Sequence, residues 1–390
     1  MKRRFTRAIV GGAFVLFAAP AVAQVDPNPA MNNPDKLAWQ LFIQMNSRGQ
    51  GPNSVFETFA SDSDTFQLNP QYPAGPATPS LRPAILPQMA RDMSLRTGAP
   101  RPTLMPDPRF TFEETRRNRP SFDFIVNNNL FKRSGLKAAF GRDLTFPVDA
   151  IEVKANWLPV EFIPDFTKNQ VTVAQVPQLY HVNSDRQGKR YALVAMHVIT
   201  KQVPNWTWAT FEHRFNPARC DITGCRDSFG AQAPVVPPSQ ISDAGYPDCT
   251  KSPALSAMFA AADIEPVYVN YCLRGTQVDF VDNAGLDIRL GNSVAEAGFV
   301  ATSSCMTCHG RAAFDANGRA VPPFLAPSVG ALGPLLPNWY FSFTSQPPIF
   351  QGMPGLVRTA TPADFVWSIP VCAVDDTQTP PQLARDCLGK

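Results

Sequence analysis

The sequence lacks the short motifs that mark the common hydrolases and phosphate-binding enzymes. It contains no glycine-rich phosphate loop, no Gly-x-Ser-x-Gly turn and no His-Glu-x-x-His pair. Histidine is scarce as well, with four residues in a chain of 390. A hydrolase of one of these classes is therefore not expected.

The chain also lacks a strong excess of charge. Its formal net charge is +3, and four of its basic residues, Lys2, Arg3, Arg4 and Arg7, lie in the first 23 positions, which hold no acids. The rest of the chain therefore carries a net charge of about −1. Because nucleic-acid binding needs a basic face, no nucleic-acid partner is expected.

The basic N-terminus is typical of a secretory signal peptide. Residues 8–23 are uncharged and mostly apolar, and they end in Ala21-Val22-Ala23. We predict that residues 1–23 are removed on export and that no transmembrane segment follows, although an uncleaved anchor is the alternative. The expected location is the periplasm or another exported compartment.

Eight cysteines are present, and six of them are predicted to form disulfides in an oxidising compartment. Proximity along the chain favours three pairs: Cys220 with Cys225, Cys249 with Cys272, and Cys372 with Cys387. The sequence alone leaves fifteen possible pairings of six cysteines open.

The other two cysteines belong to the segment Cys305-Met306-Thr307-Cys308-His309. On a helical turn, positions i, i+3 and i+4 share one face, so both thiols and the imidazole can approach one flat ring. This Cys-x-x-Cys-His segment resembles the haem-attachment motif of the c-type cytochromes. The resemblance implies one covalent haem c, with Cys305 and Cys308 as its thioether links and His309 as the proximal iron ligand.

The motif has three other interpretations: a thioredoxin-like dithiol, half of a structural zinc site, or a chance match. A thioredoxin-like dithiol normally follows a βαβ pattern, whereas Ser293 and Glu296 are spaced as a capping box that predicts a short helix through Phe299 and Val300. A closed zinc site needs four ligands, and the chain has no second Cys-x-x-Cys. Haem attachment is the favoured interpretation.

The hydrophobic pattern predicts an α+β fold. Leu37, Ala38, Leu41, Phe42 and Met45 form one helical face after Asn33-Pro34-Asp35, and a second helix is predicted over residues 122–140. Strands are predicted at 151–157, 191–200, 206–213 and 265–272, with the middle two joined as a hairpin centred near Val203. Residues 24–290 are expected to form a mixed domain around an antiparallel or sandwich-like sheet. Residues 291–390 are expected to form a mostly α-helical, loop-rich, cytochrome c-like haem region.

A wider resemblance rests on three segments together. Ile151-Glu-Val-Lys-Ala-Asn-Trp157 and Trp206-Thr-Trp-Ala-Thr-Phe-Glu-His213, combined with one Cys-x-x-Cys-His, resemble a larger group of exported bacterial proteins with an additional N-terminal domain. This resemblance implies no particular activity.

The second axial position of the haem iron is the least determined part of the site. Met353, in Gln351-Gly-Met-Pro354, is the only methionine after the motif and is the candidate distal ligand, because small cytochromes take this methionine from such a loop. A packing role for Met353 is the alternative. His197 is interpreted as a core imidazole. A metal site shared by His197, Glu212 and His213 would require a shift of the hairpin register.

The function expected from these patterns is that of an exported monohaem cytochrome. It would transfer electrons with a redox partner protein or a small-molecule donor or acceptor. One alternative is a haem-dependent oxidoreductase or gas sensor whose sixth iron position is open or displaceable. Another is a binding module in which the sheet domain recognises a ligand and the haem is accessory.

Overall fold

The computed structural model describes residues 28–49, 53–75, 78–84, 111–232, 249–297, 299–321, 332–343, 349–350, 353–384 and 387. The predicted signal peptide, residues 1–23, lies outside these ranges. The described residues contain ten α-helices, most of them short. They are α1 Pro29–Asn32, α2 Pro34–Asn46, α3 Asp62–Thr65, α4 Arg119–Asn127, α5 Arg133–Ala139, α6 Ile163–Phe166, α7 Val176–Leu179, α8 Pro253–Ala261, α9 Cys305–Gly310 and α10 Ser368–Cys372.

The same ranges contain fourteen β-strands. They are β1 Ala60–Ser61, β2 Arg82–Pro83, β3 Phe112–Arg117, β4 Ile151–Pro159, β5 Val182–Ser184, β6 Arg190–Thr200, β7 Thr207–His213, β8 Tyr271–Gln277, β9 Ala313–Phe314, β10 Phe341–Phe343, β11 Ile349–Phe350, β12 Met353–Pro354, β13 Leu356–Arg358 and β14 Thr361–Pro362. Eight of these strands form one sheet in the order β1-β3-β4-β6-β7-β8, with β2 beside β3 and β5 beside β6. Every pairing in the sheet is antiparallel, which confirms the predicted antiparallel sheet.

One face of the sheet is apolar and is covered by α2. This helix begins at the predicted Asn33-Pro34-Asp35 segment and buries its predicted stripe, as well as Trp39. The Trp39 ring lies 5.0 Å from that of Phe211 on β7, and its Nε1 donates to Asp227 Oδ2 at 2.9 Å. Burial of this many large apolar side chains, at roughly 1.5–3 kcal/mol each, makes the α2 face the main core.

The predicted hairpin is formed by β6 and β7, but its register differs by one residue from a turn centred on Val203. Thr200 lies opposite Thr207, and Ala195 lies opposite Glu212. Trp206 adopts a positive φ of 61° and belongs to the turn, so β7 begins one residue later than predicted. Because successive side chains of a strand alternate, this register places His197 and His213 on opposite faces of the sheet.

Two other predicted elements were wrong in their extent. Residues 122–140 form the end of α4 and then α5, because Asn129 takes a positive φ of 58° between them. The strand predicted from residue 265 begins only at Tyr271. Residues Pro266–Asn270 form a 3-10 helix, as a proline at its first position favours.

The second face of the sheet packs against residues 290–387. Ile199 and Trp208 share a hydrophobic cluster with Cys305, Met306 and other residues of this later segment. The expectation of a mostly α-helical haem region was wrong. Among its described residues, this segment has two short α-helices, α9 and α10, two 3-10 turns at Val300–Thr302 and Pro337–Trp339, and six strands of two or three residues. Its prolines interrupt longer helices. The predicted domain boundary at residue 290 stays a prediction.

Three disulfides are present, and each joins a predicted pair: Cys220–Cys225, Cys249–Cys272 and Cys372–Cys387. All eight cysteines lie in the described ranges, and of these only Cys305 and Cys308 are free thiols. Disulfides are typical of proteins that fold in an oxidising compartment.

Candidate functional site

The two free cysteines and His309 lie on α9 and line one cavity of about 340 Å³. This volume is within the range of ordinary small-molecule pockets. Ser304 caps the helix by accepting a hydrogen bond from the Thr307 amide. The Thr307 hydroxyl donates to the Gly333 carbonyl at 2.7 Å. The sequence therefore folds the motif into a capped helical turn, with three potential ligand groups directed to one space.

Strand β8 anchors this helix to the sheet. Gln277 Nε2 donates to Ser304 Oγ at 2.9 Å, and Gln277 Oε1 accepts from the Met306 amide at 3.2 Å. The Met306 side chain is fully buried beneath the helix. These contacts fix the orientation of α9 relative to the sheet face that forms the opposite wall of the cavity.

Aromatic side chains hold the other side of α9. Trp367 Nε1 donates to the Cys308 carbonyl at 3.2 Å, and the Tyr340 hydroxyl donates to the Gly310 carbonyl. The Arg311 guanidinium lies 4.1 Å from the ring centre of Trp339. Trp367 and Tyr340 thus donate to carbonyls in the last turn of a short helix, where intrahelical donors run out.

Both thiols are poor nucleophiles in this environment. Burial raises the pKa of the Cys305 thiol well above its ordinary value, and burial raises that of Cys308 to about 11, with Glu296 as a further cause in each case. A reactive dithiol requires the opposite, a lowered thiol pKa. A zinc ion would need further ligands, and the other six cysteines are paired in disulfides.

The His309 ring is fixed by one hydrogen bond and one aromatic contact. Nδ1 lies 2.9 Å from the Phe365 carbonyl oxygen and donates to it, and the ring centre lies 4.6 Å from that of Trp208. Nε2 has no hydrogen-bond partner among the described residues. Burial lowers the pKa of His309 to about 4, so the imidazole is neutral at physiological pH. A neutral imidazole held through Nδ1 is the form that binds a metal through Nε2.

The carbonyl that holds His309 belongs to a constrained segment. Asp364 and Phe365 have positive φ values of 46° and 71°. The Asp364 carboxylate accepts from the Phe146 amide at 2.8 Å and from Lys201 Nζ at 2.6 Å. These contacts hold a backbone conformation that residues with a side chain rarely adopt.

The wall opposite the motif is the second face of the sheet, which carries polar side chains beside Ile199 and Trp208. Glu113, Lys154 and His197 line the cavity from β3, β4 and β6, and Lys154 Nζ lies 2.9 Å from Glu113 Oε2. Glu152, Lys154 and Asn156 alternate with apolar residues along β4, a pattern typical of a half-buried strand with one solvent-facing side. In the structure Glu152 and Asn156 are buried, and Glu152 and Lys154 line the cavity.

Two titratable groups on this wall have shifted pKa values. Burial lowers the pKa of His197 to about 3, and nearby Lys154 adds to the effect. Burial raises the pKa of Glu296 to about 7. The predicted capping box at Ser293 is not formed. Instead, the Ser293 hydroxyl donates to Glu212, and the Asn292 amide donates to Glu296 Oε2.

The structure brings together three of the four sequence-predicted site residues, namely Cys305, Cys308 and His309. The backbone of Met353 lies in β12, where it pairs with Phe350, and its side chain lies outside what the structure describes. His213 is not in the cavity: it stacks on Tyr180 with ring centres 3.5 Å apart. The sequence patterns did not identify His197 as a residue that lines the cavity. The only feature that pointed to it was its position as a polar residue inside a nearly continuous apolar strand.

Comparisons with known proteins do not identify the chain: no family model, curated protein or solved structure matches it. Among the helices that the structure describes, none is long and apolar enough to cross a membrane. The chemistry of the cavity is therefore the main guide to function. Its donor set of two unpaired thiols and one neutral, oriented imidazole fits a covalently attached haem c.

Proposed function

We propose that the protein is an exported monohaem c-type cytochrome that transfers electrons in the periplasm. Cys305 and Cys308 would hold the haem covalently, and His309 would be its proximal iron ligand. The observation that carries the proposal is the convergence of these three groups, from a single capped helical turn, on one cavity. The predicted signal peptide and the three disulfides support export.

The chemistry of attachment is the addition of each thiol across one vinyl group of haem. Each S–H bond breaks as a C–S bond and a C–H bond form, so no atom is lost and no oxidant is needed. Once bound, the iron would supply a reversible one-electron couple.

The residues of the chain would orient and shield this group. The Phe365 carbonyl fixes the His309 ring, and Gln277 fixes the helix that presents both thiols. Hydrogen bonding to Nδ1 also raises the basicity of the ligating nitrogen, which tunes the redox potential. The partner would be a redox protein or a small-molecule electron donor or acceptor.

The experiment is expression in bacteria that carry a c-type haem maturation system, followed by spectroscopy of the purified protein. We expect a haem spectrum that survives denaturation and a reversible one-electron reduction. The double variant C305A/C308A should lose covalent haem. The matched control C220A/C225A, which removes a disulfide whose residues do not line the cavity, should keep it. Covalent haem in C305A/C308A would refute the proposal.

The main alternative is a haem enzyme or gas sensor with an open sixth iron position. The polar wall of Glu113, Lys154 and His197 favours it, because such groups could contact a small molecule. Rapid binding of carbon monoxide by the reduced wild-type protein would favour this alternative over an electron carrier.

A further inference from the structure

Two of the four histidines face the same cavity. All four lie within the described residues, and of these His197 and His309 line the cavity. His181 and His213 lie elsewhere, and each has hydrogen-bond partners for both ring nitrogens. The chain therefore places two imidazoles around one space and secures the other two with protein contacts.

The His197 ring has a buried nitrogen without a hydrogen bond. Its Nε2 has no hydrogen-bond partner among the described residues, and it lies 3.7 Å from Glu296 Oε1, beyond hydrogen-bonding distance. The side chain is only 12% exposed. Native proteins rarely leave a buried nitrogen unpaired, because desolvation costs free energy that no contact restores. The nitrogen is therefore available to a ligand that enters the cavity.

The sheet register places His197 close to the motif. His197 lies opposite Thr210 on β7, so Trp208 is its diagonal neighbour on the same face. Diagonal cross-strand neighbours are about 7–8 Å apart. Trp208 in turn contacts the His309 ring, with ring centres 4.6 Å apart. His197 on β6 and His309 on α9 therefore line the cavity from two different elements, and Trp208 is a neighbour of both.

The other polar groups on this wall are already engaged. Lys154 Nζ pairs with Glu113 at 2.9 Å, and the Asn292 amide donates to the Glu296 carboxyl group. Among the described residues of the wall, His197 is the one that presents an imidazole nitrogen with no hydrogen bond.

We propose that His197 binds the haem iron through Nε2 at the axial position opposite His309. This inference rests on the proposed function and specifies it. The sheet would supply the second axial ligand, and the iron would have two imidazole ligands. Met353, the candidate from the sequence, would then have no role in ligation. Two strong axial ligands close the iron to small molecules and favour electron transfer.

The test uses the full holoprotein after covalent haem has been confirmed by mass. In the wild type, we expect a low-spin iron with the near-infrared charge-transfer band of two imidazole ligands. His197→Ala should become high-spin and should bind carbon monoxide faster after reduction. Added imidazole should restore the low-spin spectrum of His197→Ala, because it can occupy the position that the His197 ring leaves open. His213→Gln, a substitution of a histidine outside the cavity, is the matched control and should keep the wild-type spectrum.

Three results would overturn the inference. A methionine charge-transfer band in the wild type, lost in Met353→Ala, would identify Met353 as the ligand. A high-spin wild type would show that there is no sixth protein ligand. A low-spin spectrum that is unchanged in His197→Ala would exclude His197. The wild-type near-infrared spectrum remains decisive even if His197→Ala fails to fold. The absence of covalent haem in the wild type would refute the proposed function itself, and the mass measurement separates that outcome from a wrong ligand.

Discussion

His309 Nδ1 lies 2.9 Å from the carbonyl oxygen of Phe365, so a hydrogen bond links the Cys-x-x-Cys-His segment to a segment more than fifty residues later. The conformation of that segment depends on Asp364, whose carboxylate pairs with Lys201 Nζ at 2.6 Å. Both side chains of this ion pair are buried. The orientation of the His309 imidazole therefore depends on an ion pair that does not itself contact the motif.

Breaking this pair should destabilise the protein. We expect Asp364→Asn to lower the free energy of unfolding by about 3–5 kcal/mol, because it leaves the Lys201 charge buried without its partner. Denaturant unfolding measures this effect. Asp143→Asn, at an exposed aspartate, is the control and should have little effect. In a double-mutant cycle with Lys201→Met, the double variant should lose much less unfolding free energy than the sum of the losses in the two single variants. Additive losses would show that the pair does not couple.

The buried His181 should make stability depend on pH in the alkaline range. Burial alone lowers the pKa of this histidine, but the carboxylates of Glu57, at 3.1 Å, and Glu265, at 3.2 Å, outweigh burial and raise the pKa to about 9. The unfolded value is near 6.5. The stabilisation is therefore fully present below about pH 6.5 and is lost as pH rises through 9.

A shift of this size corresponds to about 3 kcal/mol between those two pH values. Chemical unfolding at several pH values measures it. Tyr268 and Tyr271, which also lie near His181, have pKa values raised well above 10 by burial and should not titrate in this window. In Glu57→Gln the unfolding free energy should depend less steeply on pH, because the main group that raises the pKa of His181 is gone. An equally steep dependence in that variant would contradict the assignment.

Gln277 should control how firmly the motif helix is held. In Gln277→Ala, the Ser304 hydroxyl and the Met306 amide lose their contacts with β8, at an expected cost of about 1–3 kcal/mol. Amide hydrogen exchange measured by mass spectrometry should become faster in residues 304–310. The surface variant Gln187→Ala should exchange like the wild type. Unchanged protection of these residues in Gln277→Ala would mean that other contacts hold the helix.

The disulfides should differ in their contribution to stability according to the length of chain that they close. Cys372 and Cys387 are 15 residues apart, and Cys220 and Cys225 are 5 apart. The chain-entropy model predicts that the disulfide stabilises the protein by about 3 kcal/mol for the longer loop and about 2 kcal/mol for the shorter one. Replacing each pair by serine and comparing the unfolding free energies tests this order. A larger loss from the Cys220–Cys225 pair would contradict it.

The sequence predicted what local patterns determine. Residues of α2 have helical periodicity, the β6–β7 hairpin has alternating or apolar runs, and neighbouring cysteines pair. It did not predict what depends on long-range packing. Glu152 and Lys154 alternate with apolar residues, as on the solvent-facing side of a strand. This side becomes a cavity wall only because residues of the later segment pack against it. For the same reason, no sequence pattern indicated that His197 and His309 line one cavity.

The observed β6–β7 register differs by one residue from the predicted one, and this difference changes the faces on which the histidines lie. A shift of one residue in the β6–β7 pairing moves His197 and His213 to opposite faces, since side chains alternate along a strand. The positive φ of Trp206, which delays the start of β7, could not be read from the residue type, because such a conformation is rare for a residue with a side chain.

Haem attachment is tested by the intact mass of the purified protein under denaturing conditions, after expression with a c-type maturation system. We expect the mass of the polypeptide that remains after export plus one haem, and loss of that haem in C305A/C308A. A mass equal to the polypeptide alone, under conditions that load haem onto an established c-type cytochrome expressed in parallel, would show that the chain does not bind haem covalently.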